Sequence, residues 1–201
     1  MNYLDLSHID LSGNSIPSFI GNLSKLRYLN LSHTSLNGQV PPQLGNLSRL
    51  QFLDLSYNFE ISMENLEWAS RLSSLQVLDL SLTNMTTAYD WVQVVHNLPH
   101  LTNLLLSACD LPNVVPPSLP LVNASKVLTV LDLAQNPLSV SIFQWLFNYS
   151  RSLAHLDLSL CSINTSIPRT FENMVSLESL SLYFNQIGGS IPNSFGNITT
   201  L

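Results

Sequence analysis

Charge is scarce in this chain. Asp, Glu, Lys and Arg make up only 10% of its 201 residues, and 13 acidic against 7 basic side chains leave a net charge of −6. A nucleic acid is gripped through its phosphates by a basic face, so that class of partner is excluded. Cysteine is nearly absent, with only Cys109 and Cys161. No apolar run approaches the ~20 residues that span a bilayer. The opening residues, MNYLDLSHIDLSG, have neither a basic stretch nor an uninterrupted apolar one, so no secretory leader is legible there.

What the chain has in abundance is itself. Leu4, Leu29, Leu53, Leu78, Leu104, Leu131, Leu156 and Leu180 mark equivalent places at intervals of 25, 24, 25, 26, 27, 25 and 24 residues. Each is followed two residues later by another leucine, from Leu6 through Leu182. Self-similarity at this period is the mark of a leucine-rich-repeat solenoid. The expected architecture is an α/β solenoid of about eight turns in one domain, residues 1–201. A curved parallel sheet has its strands near 3–7, 28–32, 52–56, 77–81, 103–107, 130–134, 155–159 and 179–183. Short 3-10 or α helices lie on the convex side. Solenoids need polar caps over their end turns. None is legible, which predicts a piece of a longer protein or the product of a truncated gene.

One turn, LRYLNLSHTSLNGQVPPQLGNLSRL, covers residues 26–50. Leu29 and Leu31 point inward while Tyr28, Asn30 and Ser32 point outward, by the period of two. Five residues after the marker stand Thr34, Asn58, Thr83, Asn136 and Asn185, inward polar groups placed to bond neighbouring backbone. Cys109 and Cys161 hold the same place two turns apart, hence nearly 10 Å apart at ~4.8 Å per rung. A disulfide reaches only about 7 Å between Cα atoms, so both are expected to be buried free thiols.

Three return paths read as helical: 61–72, 88–98 and 142–149. In the last two, Trp91, Val94, Val95 and Leu98, and Ile142, Trp145, Leu146 and Tyr149, follow i, i+3, i+4, i+7 spacing. Core packing is the favoured role for these tryptophans, ahead of ligand anchoring. Residues 112–123 are proline-rich and expected to form an irregular extended rim.

The return path carries a narrower motif, L-x-G-x-I-P-x-x-L-G-N-L. It stands as Leu36, Gly38, Val40, Pro41, Leu44, Gly45, Asn46 and Leu47, and again as Ile187, Gly189, Ile191, Pro192, Phe195, Gly196, Asn197 and Ile198. This resembles the plant extracellular repeat of receptor-like proteins and receptor-like kinases. The stretch from Met63 to Pro117, with NLEWASRLSSLQVLDLS and Tyr89-Asp90-Trp91, is similar to receptor-like proteins of the fungal-xylanase elicitor receptor group. The resemblance implies a plasma-membrane protein with a secreted ectodomain, one transmembrane helix, a short tail and no kinase. It also implies a microbial or developmental ligand and a partner co-receptor kinase. Any membrane attachment would come through a segment outside this chain. No cofactor is implied.

Glycosylation sequons agree with an extracellular setting. N-x-S/T occurs at Asn22, Asn30, Asn46, Asn84, Asn123, Asn148, Asn164 and Asn197. Asn30 lies on the strand face, where a glycan would obstruct a ligand, so the other seven are the expected sites.

The outward positions form columns. The central one reads Asp5, Asn30, Asp54, Asp79, Leu105, Asp132, Asp157, Ser181, with Arg27 the one basic residue placed on the strand face, which is therefore acidic. Neighbours such as Asp54/Asp79 or Asp132/Asp157, ~5 Å apart, match a retaining glycosidase in spacing. A regular open sheet gives no asymmetry to drive their pKa values apart, so a solvated ladder is the favoured reading. His155, Asp157 and Ser159 are no triad: alternate strand residues stand ~6.6 Å apart, and Asp is in the middle. His8 and His33 lack a placed third ligand, which is short of a zinc set. Tyr3, Tyr28 and Phe52 before the marker, with His8, His33 and Tyr57 after it, form an aromatic and imidazole patch. Together with Arg27, Asp54 and Asp79 they are the expected ligand-binding set, since aromatics dominate binding hot spots.

The function expected is recognition of a peptide, protein or glycan on the concave face of a plant cell-surface receptor, without catalysis. The alternatives are a secreted inhibitor of a microbial cell-wall-degrading enzyme, like polygalacturonase-inhibiting proteins, or a nonfunctional truncated fragment. Those inhibitors run to about ten repeats with cysteine caps, which this chain lacks.

Overall fold

A computed structural model of the chain describes residues 1–114, 127–198 and 200. The proline-rich rim expected at 112–123 lies mostly outside them. Ten strands of three residues are formed: β1 (Tyr3–Asp5), β2 (Tyr28–Asn30), β3 (Asn37–Gln39), β4 (Phe52–Asp54), β5 (Glu60–Ser62), β6 (Val77–Asp79), β7 (Asn103–Leu105), β8 (Val130–Asp132), β9 (His155–Asp157) and β10 (Ser179–Ser181). Eight of them stack in one parallel sheet in the order β1-β2-β4-β6-β7-β8-β9-β10, each beside the strand of the next turn. The marker leucines pair in register from Leu4 with Leu29 to Leu156 with Leu180. Strand β3 pairs with β5 in a second, narrow parallel ladder, extended by bridges Ser15–Asn37 and Ser62–Asn84.

No strand can hide its own apolar side. Leu29, Leu53, Leu78, Leu104 and Leu131 are wholly buried only because the turns above and below cover them. The return paths close the core with 3-10 turns at Ser18–Asn22, Pro42–Asn46, Glu67–Arg71, Arg169–Asn173 and Asn193–Asn197.

The helical expectations are met unevenly. Residues 88–98 contain α1 (Trp91–His96), and 142–149 contain α2 (Ile142–Leu146) followed by a 3-10 turn at Phe147–Tyr149. Residues 61–72 are not a helix. Ile61 lies in β5, and only Glu67–Arg71 winds, as a 3-10 turn. Backbone pairing of Glu60–Ser62 with the previous turn took the first residues of 61–72 out of the helix expected there. Trp68, Trp91 and Trp145 are all buried in the core, and the last two meet edge to face at 5.3 Å between ring centres.

Each strand ends in the same unusual way. His8, His33, Tyr57, Leu82, Ala108, Gln135, Leu160 and Phe184, all four residues after the marker, have φ between 52° and 60°. This left-handed backbone costs roughly 1–2 kcal/mol for a non-glycine residue. It persists because the N–H there bonds across to the next turn, as His33 does to the Ser56 carbonyl at 3.0 Å and Leu82 to Ser107 at 2.8 Å. None of the eight is β-branched, the side-chain type that this backbone tolerates least. The twist sends the side chain outward and the next residue inward.

Those next residues bind the turns together in pairs. Asn58 Oδ1 accepts from the backbone N–H groups of Thr34 and Leu36, and Asn58 Nδ2 donates to the Leu31 and Leu55 carbonyls. Asn136 accepts from Cys109 and Leu111 in the same way, and Asn185 from Cys161 and Ile163. Both cysteines are free and buried, as their spacing implies. Cys109 Sγ donates to the Leu80 carbonyl at 3.0 Å, the place where Thr83 Oγ1 donates at 2.7 Å. Burial pushes the Cys109 thiol up to about 12 and that of Cys161 to about 11, so both stay protonated and unreactive.

Candidate functional site: the concave face

Strand register places the sequence columns against one another. Tyr3 pairs with Tyr28 and Tyr28 with Phe52, and their rings stack with centres 4.3 Å apart and planes 12° and 6° from parallel. Beyond the strands, the shared left-handed backbone stacks His8 on His33 at 4.5 Å and His33 on Tyr57 at 4.0 Å. Six of the predicted residues therefore form two aromatic ladders on the first three turns, with Asp5, Asn30 and Asp54 on the floor between them. The stacking also decides the metal question at this point. The two imidazoles lie face on face, 16° from parallel, so their in-plane lone pairs run side by side instead of converging on one ion.

Asp54 and Asp79 stand in register on neighbouring strands. Arg27 does not join them. It precedes β2, its N–H bonding to the Asn2 carbonyl and its own carbonyl accepting from Gln51 and Phe52. That rung lies one residue before the strand proper, which begins at Tyr28, and so at the border of the face. The eight strands of the main sheet accordingly carry no Lys or Arg.

Each carboxylate of the column is held by its own chain. Asp54, Asp79, Asp132 and Asp157 accept the backbone N–H two residues on, at 2.8–2.9 Å. The same backbone hydrogen bond thus recurs from one carboxylate to the next along the column. His155 turns away from Asp157, its Nε2 3.9 Å from Glu178 in the next turn, and Ser159 is buried. The one apolar member of the column is Leu105, which separates Asp79 from Asp132. There the face dips into a shallow cleft of about 240 Å³, lined by Tyr57, Asp79, Leu105, Ala108, Asp132 and Gln135 among others.

Burial pushes the Asp79 carboxyl above its ordinary value, against the pull of the Ser81 hydrogen bonds, and the charges of Asp54 and Asp132 add to the rise. A raised folded-state pKa means that the folded chain holds this proton more tightly than the unfolded one. The cost of ionising it is present above the folded pKa and disappears as pH falls below the ordinary carboxylate range. Asp79→Asn keeps an acceptor for Ser81, as Asn30 does for Ser32 at 2.9 Å. It is expected to raise the urea midpoint at about pH 7 and leave it unchanged at about pH 3. An equal shift at both values would contradict the electrostatic explanation.

The comparisons with known proteins agree with this geometry. Two family models match, each described as leucine-rich repeat, over residues 25–47 and 126–187. Receptor-like protein EIX1 of Solanum lycopersicum is 41% identical over 187 residues, 92% of this chain and 18% of that protein. The chain belongs to the plant leucine-rich-repeat receptor-like proteins. It spans about one fifth of the length of the curated relatives it matches. Among solved structures, the ectodomain of the Arabidopsis thaliana receptor kinase GASSHO1/SCHENGEN3, in complex with CASPARIAN STRIP INTEGRITY FACTOR 2, superposes with a TM-score of 0.79 at 26% identity. That match covers 100% of this chain and 23% of the other. The Arabidopsis receptor kinase HAESA, in complex with the peptide hormone IDA and the co-receptor SERK1, matches over 98% of this chain and 28% of its own, with a TM-score of 0.62 and 26% identity.

Within this receptor-like fold the sequons fall on different ground. Asn22 and Asn46 are exposed at the ends of successive 3-10 turns, and Asn84 and Asn164 are exposed beyond the strands. Asn148 is half-buried, with its Nδ2 donating to the Trp145 carbonyl at 2.9 Å. Asn123 and the side chain of Asn197 lie outside the described residues. Sequence reasoning missed Asp90, which accepts the Leu66 N–H with both carboxylate oxygens, at 2.9 and 3.0 Å. An acid 24 residues ahead of an unsatisfied turn gives no local signal.

Among the described residues no helix is long and apolar enough to cross a membrane.

Proposed function

We propose that this chain is a ligand-recognition module of a plant cell-surface receptor-like protein, acting as one solenoid domain in defence or developmental signalling. A peptide, protein or glycan ligand lies across the concave face, and no reaction is catalysed. The observation that carries the reading is the pair of stacked ladders, Tyr3–Tyr28–Phe52 and His8–His33–Tyr57. Rings held rigid by mutual stacking lose little side-chain entropy when a ligand covers them, so they serve as anchors. Asp54 and Asp79 add acceptors beside them, and Arg27 a donor at the flank. The resemblance to plant receptor-like proteins supports a setting on the outer side of the plasma membrane and a co-receptor kinase as partner. Glycans are proposed at Asn22, Asn46, Asn84, Asn123, Asn148, Asn164 and Asn197, and those at exposed Asn22, Asn46, Asn84 and Asn164 lie outside the strands.

The test is binding of a purified fungal xylanase, the elicitor of the resembled group, to an ectodomain containing this segment. Tyr28→Ala/Phe52→Ala is expected to weaken it by about tenfold or more, as removal of aromatic hot spots does. Unchanged affinity in a folded variant would remove the ladders from the binding site.

A further inference from the structure

Four of the seven basic residues of this acidic chain, Lys25, Arg27, Arg49 and Arg71, lie within three successive turns. All four are exposed. Lys25 and Arg49 precede equivalent buried leucines, Leu26 and Leu50, and therefore occupy the same place on neighbouring rungs. Arg27 continues along a rung that hydrogen-bonds to Gln51, which in turn bonds to Gln76. Arg71 ends its 3-10 turn where Asn46 ends the one before. At ~4.8 Å per rung the four cations share one flank about 10 Å long.

Against these four cations stands one acid, Glu67, which opens the 3-10 turn that Arg71 closes, while residues 18–28 and 42–52 contain no Asp or Glu. Among the described residues the only ion pair is His155–Glu178, at the other end of the solenoid, where Glu178 stands at the rung position that Arg27 holds here. Gln51, Gln76, Ser48 and Ser73 surround the cations with further hydrogen-bond donors. The acidic column lies on the other side of the Tyr3–Tyr28–Phe52 ladder.

We propose that this basic flank is a second interaction surface, docking a carboxylate-rich segment of a partner protein. The surface borders the ligand site proposed for the concave face, with Arg27 and the Tyr3–Tyr28–Phe52 ladder at the shared edge. Three of the four cations are Arg, whose planar fork matches a carboxylate with two parallel hydrogen bonds. The adjoining ladder selects a protein over an acidic polysaccharide. Sugars stack on ring faces, and here the central ring, Tyr28, has both faces covered, by Tyr3 and by Phe52, each at 4.3 Å. What turns outward is the ring edge, the electropositive part of the aromatic quadrupole, which suits a carboxylate.

The probe is a fluorescein-labelled hexaglutamate peptide, with the hexaglutamine peptide as label control, followed by fluorescence anisotropy at low salt. The chain is expected to bind the acidic peptide, and Lys25→Glu/Arg49→Glu to weaken binding by about tenfold or more with an unchanged circular dichroism spectrum. Arg169→Glu, on the distant part of the solenoid, and Asp79→Asn on the concave face are expected to keep the affinity within about twofold. Equal weakening by Arg169→Glu would mean that only net charge is being read, and would overturn the proposal. So would tighter binding of an oligogalacturonate of the same charge. Protein carrying glycans at Asn22 and Asn46 must also bind; binding restored only by Asn22→Gln/Asn46→Gln would show that the flank is covered, and would equally overturn it.

Discussion

Replacing Gly45 with alanine is expected to destabilise the solenoid by about 3 kcal/mol or more, at the upper end of overpacking effects. Gly45 has no left-handed backbone, so conformational freedom is not the reason for it. A Cβ there would overlap the backbone carbonyl of Trp68 in the next turn. A backbone atom cannot swing aside as the tip of a side chain can. Gly21 stands in the same relation to the Gln43 carbonyl one turn earlier, and Gly21→Ala is expected to cost a similar amount. Urea unfolding followed by circular dichroism measures both. A Gly45→Ala protein as stable as the parent would show that the turns are not in contact there.

Asn58→Leu is expected to cost about 3–5 kcal/mol, although leucine has the same branched outline and the site is wholly buried. The substitution removes the acceptor for the Thr34 and Leu36 N–H groups, at 3.2 and 3.0 Å, and the donor to the Leu31 carbonyl, at 2.8 Å. These groups belong to the preceding turn and have no water to turn to, so each orphan costs roughly 1–3 kcal/mol. Asn58→Thr is expected to recover only part of the loss. A threonine at this place bonds a nearby carbonyl, as Thr34 does to Leu31 at 2.8 Å, but offers no carboxamide oxygen to the previous turn. A full rescue by threonine, or a loss below about 1 kcal/mol for leucine, would contradict the inter-turn account. Since whole domains are stable by only about 5–15 kcal/mol, the leucine variant tests whether the stack survives at all.

These two positions mark how far local pattern carries. The inward place five residues after the marker is legible from the repeat, and so is its need for a polar side chain. What is not legible is that Asn58, Asn136 and Asn185 each serve the Thr or Cys one turn earlier, because the partner lies 24 to 27 residues away. The helix expected at 61–72 fails for a related reason. Apolar spacing there is compatible with a helix, but Glu60–Ser62 meets an extended partner, Asn37–Gln39, and pairs with it. Asp90 is the same lesson in a loop, a side chain that finds its donor at Leu66.

The candidate site divides along the same line. The aromatic and imidazole columns could be read by counting from each leucine, because register in a solenoid is set by the repeat length. Their stacking at 4.0–4.5 Å could not, since it depends on strand pairing and on the left-handed residue after each strand. Arg27 stands one residue before its three-residue strand, at the border of the face.

By itself, then, the sequence determined the period, the inward leucines, the acidic column and the kinship with plant receptor-like proteins. Each follows from residue identity at a fixed interval, and apolar burial on one side of a stacked strand tolerates no other arrangement. Only the tertiary structure decided which turns share hydrogen bonds, why Gly45 must lack a side chain, and how the cations separate from the carboxylates. Those outcomes depend on contacts between turns a few ångströms apart in space and some 25 residues apart in the chain, a distance at which local pattern carries no information.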